Sequence, residues 1–400
     1  MSSMEDPAVT NFRNYIRIKT VQPNPDYAAC MQYLQGQARE LEVDFQVVEC
    51  MPGKPAAIMK LLGEDPSLQS LLLNSHTDVV PVFPEHWKYD PFSAHKEDNG
   101  NIYGRGTQDM KCVGVQYLEA LKRLRKQGHK FLRTIYLSFV PDEELGGFNG
   151  MGRLVEMEVF KKMNIGLALD EGYANSTDEM TVFYGQRNSW KLLIKCLGQP
   201  GHGSQFLPNT AGEKFRCIVN SLLGYRDSQE QKLKDNPELK LGDVTTINLT
   251  ILEGGVQHNV VPAELSVGFD VRIPPSEVEK LENMLQKWCK DAGEGITYDY
   301  GHQFLAKEVT CVEDGKNPWW DAFSAACKNE GVRLEKEIFP ASTDMKFVRK
   351  LGINALGFSP MNHTPRLLHD HNEFLNEKIF LRGIEIYSSI ILELANVKPY

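Results

Sequence analysis

The sequence lacks the features that mark membrane-spanning, secreted and nucleic-acid-binding proteins. No apolar run approaches the roughly 20 residues that a helix needs to span a bilayer. Residues 1–6 contain no basic segment followed by an apolar run, so they do not predict a secretory signal. The formal net charge of −9 at pH 7 argues against a phosphate backbone as partner. We therefore expect a cytoplasmic protein that binds neither a membrane nor nucleic acid.

Closely spaced cysteines are also lacking. The eight cysteines are scattered singly and no two form a CxxC motif, so they indicate reduced thiols of a cytoplasmic protein. The chain has no low-complexity tract and no evident internal repeat, and 42% of its residues are hydrophobic, as in ordinary globular proteins. At 400 residues, two domains are the natural expectation.

Two adjacent glutamates, Glu143 and Glu144, stand out in what the sequence does contain. They lie in PDEELGG (residues 141–147), directly after an apolar run of β type at residues 135–140. In an α/β sheet, ligands gather outside the carboxyl ends of the strands. Neighbouring carboxylates are costly unless a cation or a shared proton compensates their charge. This segment alone is equally compatible with a metal site and with a solvated loop.

The same pattern recurs elsewhere in the chain. Potential metal ligands stand at the ends of predicted elements in four further segments, which are LLLNSHTD (71–78), GRGTQDMK (104–111), IGLALDEG (165–172) and LLHDH (367–371). Histidine and carboxylate ligands suit zinc, with manganese or cobalt as possible substitutes. The five clusters together predict a metal site at the strand ends.

This ordered set of motifs resembles the M20 family of metallohydrolases. The resemblance runs nearly end to end, and the segments that carry it are residues 15–23, 74–81, 104–112, 140–147, 169–172, 253–256 and 356–362. Within the family the chain is similar to the eukaryotic cytosolic aminoacylases, which remove the acyl group from N-acyl-L-amino acids. The resemblance implies zinc-dependent hydrolysis of such substrates, chiefly N-acetylated ones, to a free L-amino acid and a carboxylate. A dipeptidase or carboxypeptidase of the same fold is the alternative.

The resemblance also implies two zinc ions per subunit. One ion takes His76, Asp109 and Glu171, and the other takes Asp109, Glu144 and His369. Asp109 then bridges both ions, which a shared carboxylate can hold roughly 3.5 Å apart.

Two ligand positions have competitors nearby. Side chains alternate along a strand, so Asp170 and Glu171 cannot both face one metal if the strand continues. In the family, glutamate at this position goes with aminoacylase or carboxypeptidase activity and aspartate with aminopeptidases, so the resemblance favours Glu171. His369 competes with His371 and His363, and the family places its ligand first in this run.

Glu143 is the expected general base. A water that bridges the two metals is already acidified, and a carboxylate next to a ligand can take its proton and pass it to the departing amine. The alternative is that Glu143 only closes the loop. Asp78 is expected to orient the His76 imidazole, as metal-bound histidines usually require, unless it is a simple turn residue.

His202, in the Gly-rich segment 198–204, is expected to act on a neighbouring subunit. A lone histidine in such a turn is more often structural, but the resemblance places here a histidine that donates a hydrogen bond to the oxyanion in the partner's site, which implies a homodimer. The substrate carboxylate needs a cation and amide donors. Arg349 matches the family position for this task, and Arg272 and Asn259 are further candidates, although each could be a surface charge or a turn residue.

The predicted elements indicate an α/β fold with a second domain inserted. Residues 1–185 alternate helical and strand patterns, which predicts a zinc-exopeptidase-like catalytic domain with a mixed, mostly parallel sheet. Residues 186–305 predict a half-buried sheet and two long helices, typical of a ferredoxin-like α+β lid and dimerisation domain. Residues 306–400 return to the first pattern. A site that needs both His76 and His369 requires them to complete the catalytic domain.

Two local details lead to expectations of their own. Ser276 and Glu279 match the S-x-x-E capping box, which predicts a helix start at that point. Cys112 stands where many members of the family carry glycine, and its closeness in sequence to Asp109 suggests sensitivity to thiol reagents.

Overall fold

A computed structural model of the protein describes residues 5–303 and 307–399. The chain divides into two compact units. The first contains the described residues up to 184, residues 310–336 and those from 343 onwards, and the second contains residues 185–309 and 337–342. The first division lies one residue from the predicted boundary after residue 185, whereas the predicted boundary after residue 305 falls outside the described residues. The sequence did not indicate the separate placement of residues 337–342.

The described residues form ten helices and seventeen strands. The helices are α1 (Pro7–Ile16), α2 (Tyr27–Leu41), α3 (Lys111–Lys126), α4 (Met151–Leu154), α5 (Glu158–Lys161), α6 (Ala211–Asp235), α7 (Val278–Ala292), α8 (Pro318–Asn329), α9 (Met345–Arg349) and α10 (Glu377–Ala395). The strands are β1 (Asp44–Met51), β2 (Lys54–Leu61), β3 (Ser70–His76), β4 (His95–Lys96), β5 (Asn101–Tyr103), β6 (Ile135–Val140), β7 (Ile165–Asp170), β8 (Glu179–Gln186), β9 (Asn188–Leu197), β10 (Gly201–His202), β11 (Thr246–Gly254), β12 (Val260–Val261), β13 (Glu264–Ile273), β14 (Ile296–Gln303), β15 (Arg333–Phe339), β16 (Asn354–Phe358) and β17 (Phe374–Asn376). None of the described helices combines the length and the apolar composition needed to cross a bilayer.

An eight-stranded mixed sheet forms the centre of the first unit, in the order β1-β2-β6-β3-β7-β16-β8-β15. Its central strands β6, β3, β7 and β16 are parallel to one another. Every residue of β3 and β7 is buried, because the central strands of such sheets are covered on both faces, and this burial fits the apolar runs 71–73 and 165–169. The predicted α/β class with a mixed sheet is confirmed.

The last helix completes the core of this unit. Helix α10 begins after Asn376, whose side chain accepts a hydrogen bond from the main-chain nitrogen of Lys378. The apolar residues that recur at helical spacing along α10 are all buried, namely Phe380, Ile384, Tyr387, Ile391 and Leu394. Helix α10 packs against α3, which begins two residues after Asp109.

The second unit contains a four-stranded antiparallel sheet in the order β11-β13-β9-β14. With helices α6 and α7, the principal elements run β-α-β-β-α-β, which is the ferredoxin-like arrangement that the sequence predicted. Burial alternates along β9, where Trp190, Leu192, Ile194 and Cys196 lie in the core.

The predicted capping box at Ser276 is wrong. Ser276 lies in a 3-10 turn, Pro275–Glu277, and α7 starts only at Val278 without a side-chain cap. A capping box does occur in this unit at α6, where the side chains of Thr210 and Glu213 each accept from the other's main-chain nitrogen.

Candidate metal centre

Three parallel strands bring ligand-type residues to one edge of the large sheet. His76 is the last residue of β3, and its register partner Val140 ends β6 just before the loop that carries Glu143 and Glu144. Strand β7 ends at Asp170. Because parallel strands end at the same edge, residues far apart in the sequence meet there.

Asp109 lies at the middle of this cluster. Its Oδ1 atom is 2.8 Å from Nε2 of His76, and its Oδ2 atom is 3.1 Å from Nε2 of His369. His76 Nε2 also lies 3.6 Å from a carboxylate oxygen of Glu171, and His369 Nε2 lies 3.1 Å from a carboxylate oxygen of Glu144. Each oxygen of Asp109 therefore faces a different histidine–glutamate pair, which is the arrangement expected of a carboxylate shared by two metal ions.

Glu143 joins the same cluster. One ligand-type atom from each of His76, Glu143 and Glu171 lies within 4.8 Å of the others, and the same holds for His76, Asp109 and Glu144. The side chain of Glu144 is 5% exposed, so both glutamates of the pair are directed into the protein rather than into solvent.

The electrostatics of the cluster fit a cation. Burial and the Asp109 carboxylate raise the pKa of Glu144 to about 7, and the same two causes raise the pKa of Glu171 well above its usual range. Hydrogen bonds to Asp109 and Glu144 raise the pKa of His369 to about 10. The set contains two imidazoles and several buried carboxylates, and these carboxylates repel one another. Divalent cations relieve such repulsion, and His and carboxylate are donors that zinc accepts.

Asp78 contacts both His76 and the glutamate loop. Its main-chain oxygen accepts from Nδ1 of His76 at 2.8 Å, which leaves Nε2 free to face the cluster. Its carboxylate lies 3.8 Å from that ring nitrogen and instead accepts from the main-chain nitrogens of Glu143 and Glu144, at 3.1 and 3.3 Å. Gln22, which sequence reasoning missed, donates to the same carboxylate at 2.8 Å. Asp78 is thus placed to orient the ring through its backbone and the glutamate loop through its side chain.

Asp170 and Glu171 have different surroundings. Oδ1 of Asp170 accepts a hydrogen bond from the side-chain amide of Asn74 at 3.0 Å, whereas Glu171 reaches His76. The strand ends at Asp170, so the next side chain is free to turn towards the cluster. The geometry favours Glu171 over Asp170 as the metal ligand, and the assignment stays a prediction.

The three histidines near the C-terminus also have different surroundings. His369 lies in the cluster, with Nε2 3.1 Å from a carboxylate oxygen of Asp109. Nε2 of His363 is 2.9 Å from a carboxylate oxygen of Asp178, and the His371 ring packs against those of Phe83 and His86. The structure therefore supports His369 as the ligand among the three.

Arg349 is buried and donates hydrogen bonds to main-chain oxygens. It is 3% exposed, and its guanidinium donates to the main-chain oxygen of Ala355 at 2.9 Å and to that of Phe183 at 3.3 Å. These contacts join α9 to strands β16 and β8 and support a structural role. Its predicted role in binding the substrate carboxylate stays untested.

Replacing Arg349 with methionine distinguishes the structural role from the substrate-binding role. We expect the variant to lose stability by about 1–3 kcal/mol for each carbonyl left without a donor. The free energy of unfolding is measured in urea by circular dichroism, and KM is measured for N-acetyl-L-methionine. The control is Arg153→Met, which alters an exposed arginine of the same unit. Wild-type stability together with a raised KM would favour the substrate role instead.

His202 and Asn259 lie close together in the second unit. The main-chain nitrogen of Ser204 donates to Nδ1 of His202 at 3.2 Å, so the neutral ring carries its proton on Nε2. Both residues are exposed, and the main-chain oxygen of Asn259 accepts from Gly203 at 2.8 Å. His202 therefore presents an N–H donor at the surface of this unit.

Arg272 lies on β13 of the same unit. Its guanidinium donates two hydrogen bonds to the carboxylate of Asp270, at 2.7 and 3.2 Å. Lys191 on the neighbouring strand donates to the same carboxylate. An Arg272 that binds a substrate carboxylate would have to share its guanidinium with Asp270.

The structure contradicts the expected reactivity of Cys112. The residue is completely buried, and its thiol donates to the main-chain oxygen of Gln108 at 3.4 Å. Burial raises the pKa of the thiol well above its usual range. Since the thiolate is the reactive form, Cys112 is inert in the folded protein.

A basic residue that sequence reasoning missed is Arg366. Its guanidinium lies 4.3 Å from the ring centroid of Tyr173, two residues beyond Glu171. The side-chain amide of Gln108, next to Asp109, donates to Pro365 and accepts from Leu367, both at 3.0 Å. Arg366 is exposed, so it is a further cation beside the centre.

The comparisons with known proteins agree with this geometry. The sequence model of peptidase family M20/M25/M40 matches residues 72–393. Aminoacylase-1B of Rattus norvegicus is 52% identical over 394 residues, covering 98% of this chain and 96% of the rat protein. Aminoacylase-1 of Homo sapiens is 51% identical over the same shares of the two chains. A solved dinuclear metal-binding peptidase of the M20 family from Bacillus subtilis has a TM-score of 0.69 at 13% identity, covering 98% of this chain and 99% of its own, and shows the shared fold. The chain therefore belongs to the M20/M25/M40 family of peptidases.

Proposed function

We propose that this protein is a metal-dependent amidohydrolase that cleaves N-acyl-L-amino acids, chiefly N-acetylated ones, to a free L-amino acid and a carboxylate. The observation that carries the proposal is Asp109, whose two oxygens face two separate histidine–glutamate pairs. The similarity to proteins named aminoacylase-1 over nearly the whole chain selects the substrate class.

The metal is zinc, with two ions per subunit. His76, Asp109 and Glu171 would hold one ion, and Asp109, Glu144 and His369 would hold the other. When bound, the ions polarise the amide carbonyl and lower the pKa of water in the site.

Glu143 takes the proton from the attacking water and delivers it to the nitrogen of the departing amine. Its position beside His76 and Glu171 supports this role. Burial, together with the Asp344 and Glu144 carboxylates, raises the pKa of Glu143 well above its usual range. Cations in the centre would favour the ionised, basic form of Glu143. Asp78 holds Glu143 in place through the main-chain nitrogen.

The remaining groups are those proposed to bind the oxyanion and the substrate carboxylate. His202 acts as the N–H donor to the oxyanion in the site of a partner subunit, so the protein works as a homodimer. Asn259 and Arg272 contact the substrate carboxylate, and the exposed Arg366 is a further candidate beside Arg349. The cytoplasmic location predicted from the sequence is part of the same proposal.

The experiment that tests the function compares two substrates. Zinc-loaded protein is assayed with N-acetyl-L-methionine and with a dipeptide that has a free amine, before and after removal of metal by a chelator. Cleavage of the acetylated substrate that disappears with the chelator is the expected result. Cleavage of the dipeptide alone would move the function to a peptidase of the same fold.

A further inference from the structure

Glu373 is a buried carboxylate that the proposed reaction does not use. It lies four residues after His369 and directly before β17, and it is 0% exposed. Its side chain is directed at the loop that precedes α3, which contains Asp109 and has no regular secondary structure of its own between β5 and α3.

The carboxylate accepts hydrogen bonds from four residues of that loop. The donors are the guanidinium of Arg105 (2.8 Å) and the main-chain nitrogens of Gly106 (3.2 Å), Gln108 (2.6 Å) and Asp109 (3.3 Å). The main-chain oxygen of Glu373 also accepts from Gly104 at 3.0 Å. A buried loop needs acceptors for its N–H groups, and here one side chain accepts from three of the six main-chain nitrogens of residues 104–109.

These hydrogen bonds affect the positions of two candidate metal ligands, Asp109 and His369. Asp109 is fixed through its own main-chain nitrogen, and His369 belongs to the segment from which the carboxylate comes. The nitrogen of His369 and the oxygen of Asp109 lie 3.1 Å apart. Any shift of Glu373 would change the separation of these two side chains, and metal affinity depends on such placement.

We propose that Glu373 is a positioning residue of the metal centre. It touches neither metal nor substrate but sets the distance between Asp109 and His369 by fastening the loop before α3 to the His369 segment. This inference rests on the proposed ligand set, in which those two residues hold the same ion.

The test is the metal affinity of Glu373→Gln, a variant of nearly equal volume whose amide has one acceptor fewer. The dissociation constants for Zn²⁺ are measured by competition with a chromophoric chelator, and the absorption spectrum of the Co²⁺-loaded protein reports ligand geometry. We expect Zn²⁺ binding to weaken by about 10–100-fold and the Co²⁺ spectrum to change. The matched control is Glu377→Gln, which alters a glutamate on the same segment that pairs with Lys96.

Failure of the positioning role can be distinguished from failure of the proposed function. Absence of Zn²⁺ binding by the wild-type protein would remove the metal centre itself. Wild-type affinity and an unchanged Co²⁺ spectrum in folded Glu373→Gln would overturn only the positioning role.

A second measurement does not depend on whether the variant folds. Amide hydrogen exchange of the chelated wild-type protein should show protection at Gly106, Gln108 and Asp109, because the carboxylate holds them without metal. Exchange at the rate of free loop amides would overturn the proposal.

Discussion

Replacing Glu143 with alanine is expected to lower kcat for N-acetyl-L-methionine by about 10²–10⁴-fold, the usual contribution of a general base. The carboxylate belongs to the same cluster as His76 and Glu171, but the proposed ligand sets do not include it. The protein should therefore stay folded and keep its zinc. Steady-state kinetics, zinc content by mass spectrometry and circular dichroism check the three parts of this expectation.

The matched control for this variant is Glu158→Ala. Glu158 is an exposed glutamate of the same unit, 73% exposed, and pairs only with the nearby Lys161 among the described residues. It should keep the wild-type kcat. A Glu143→Ala protein that turns over within a few-fold of wild type would exclude Glu143 as the base, and loss of zinc in it would make Glu143 a ligand.

Replacing Asp109 with alanine is expected to have the second large effect. Both of its oxygens face histidines, so its loss removes a donor from each of the two proposed metal positions. Stabilisation of transition-state charge by metal is worth several kcal/mol, so turnover should fall by about 10³-fold or more. Isothermal titration with Zn²⁺ should show weaker binding at both positions.

Comparison with Glu171→Gln tests whether Asp109 is shared by both metal positions. In the proposed ligand sets Glu171 belongs only to the ion that His76 holds, so this variant should weaken one zinc position and leave the other. Asp98→Asn, at an exposed aspartate of the same unit, should leave both unchanged. If Asp109→Ala weakened only one position, Asp109 would not be the shared ligand.

The sequence by itself determined the elements and the types of chemical group that meet at the centre. The apolar runs 71–73 in β3 and Ile135–Val140 in β6 need no tertiary information, because strands covered on both faces are rich in apolar residues. The alternation along β9 and the cap at Asn376 are equally local. Once β3 and β6 are parallel neighbours, the residues that follow them meet at one edge.

The tertiary structure decided which of several similar residues reach that edge. Glu171 rather than Asp170 reaches the cluster because β7 ends at Asp170 and Asn74 occupies that carboxylate. His369 reaches Asp109, whereas His363 lies beside Asp178 and the His371 ring packs against Phe83 and His86. Such choices depend on the direction of individual side chains, which the spacing of residue types does not specify.

Burial was the other property that only the tertiary structure decided. The sequence presented Arg349 as a cation for the substrate, and the structure places it among main-chain oxygens in the interior. Glu373 carried no motif of its own, because its donors are supplied by a loop more than 250 residues earlier in the chain. A local pattern cannot reveal contacts of that range, since they exist only once the two segments pack together.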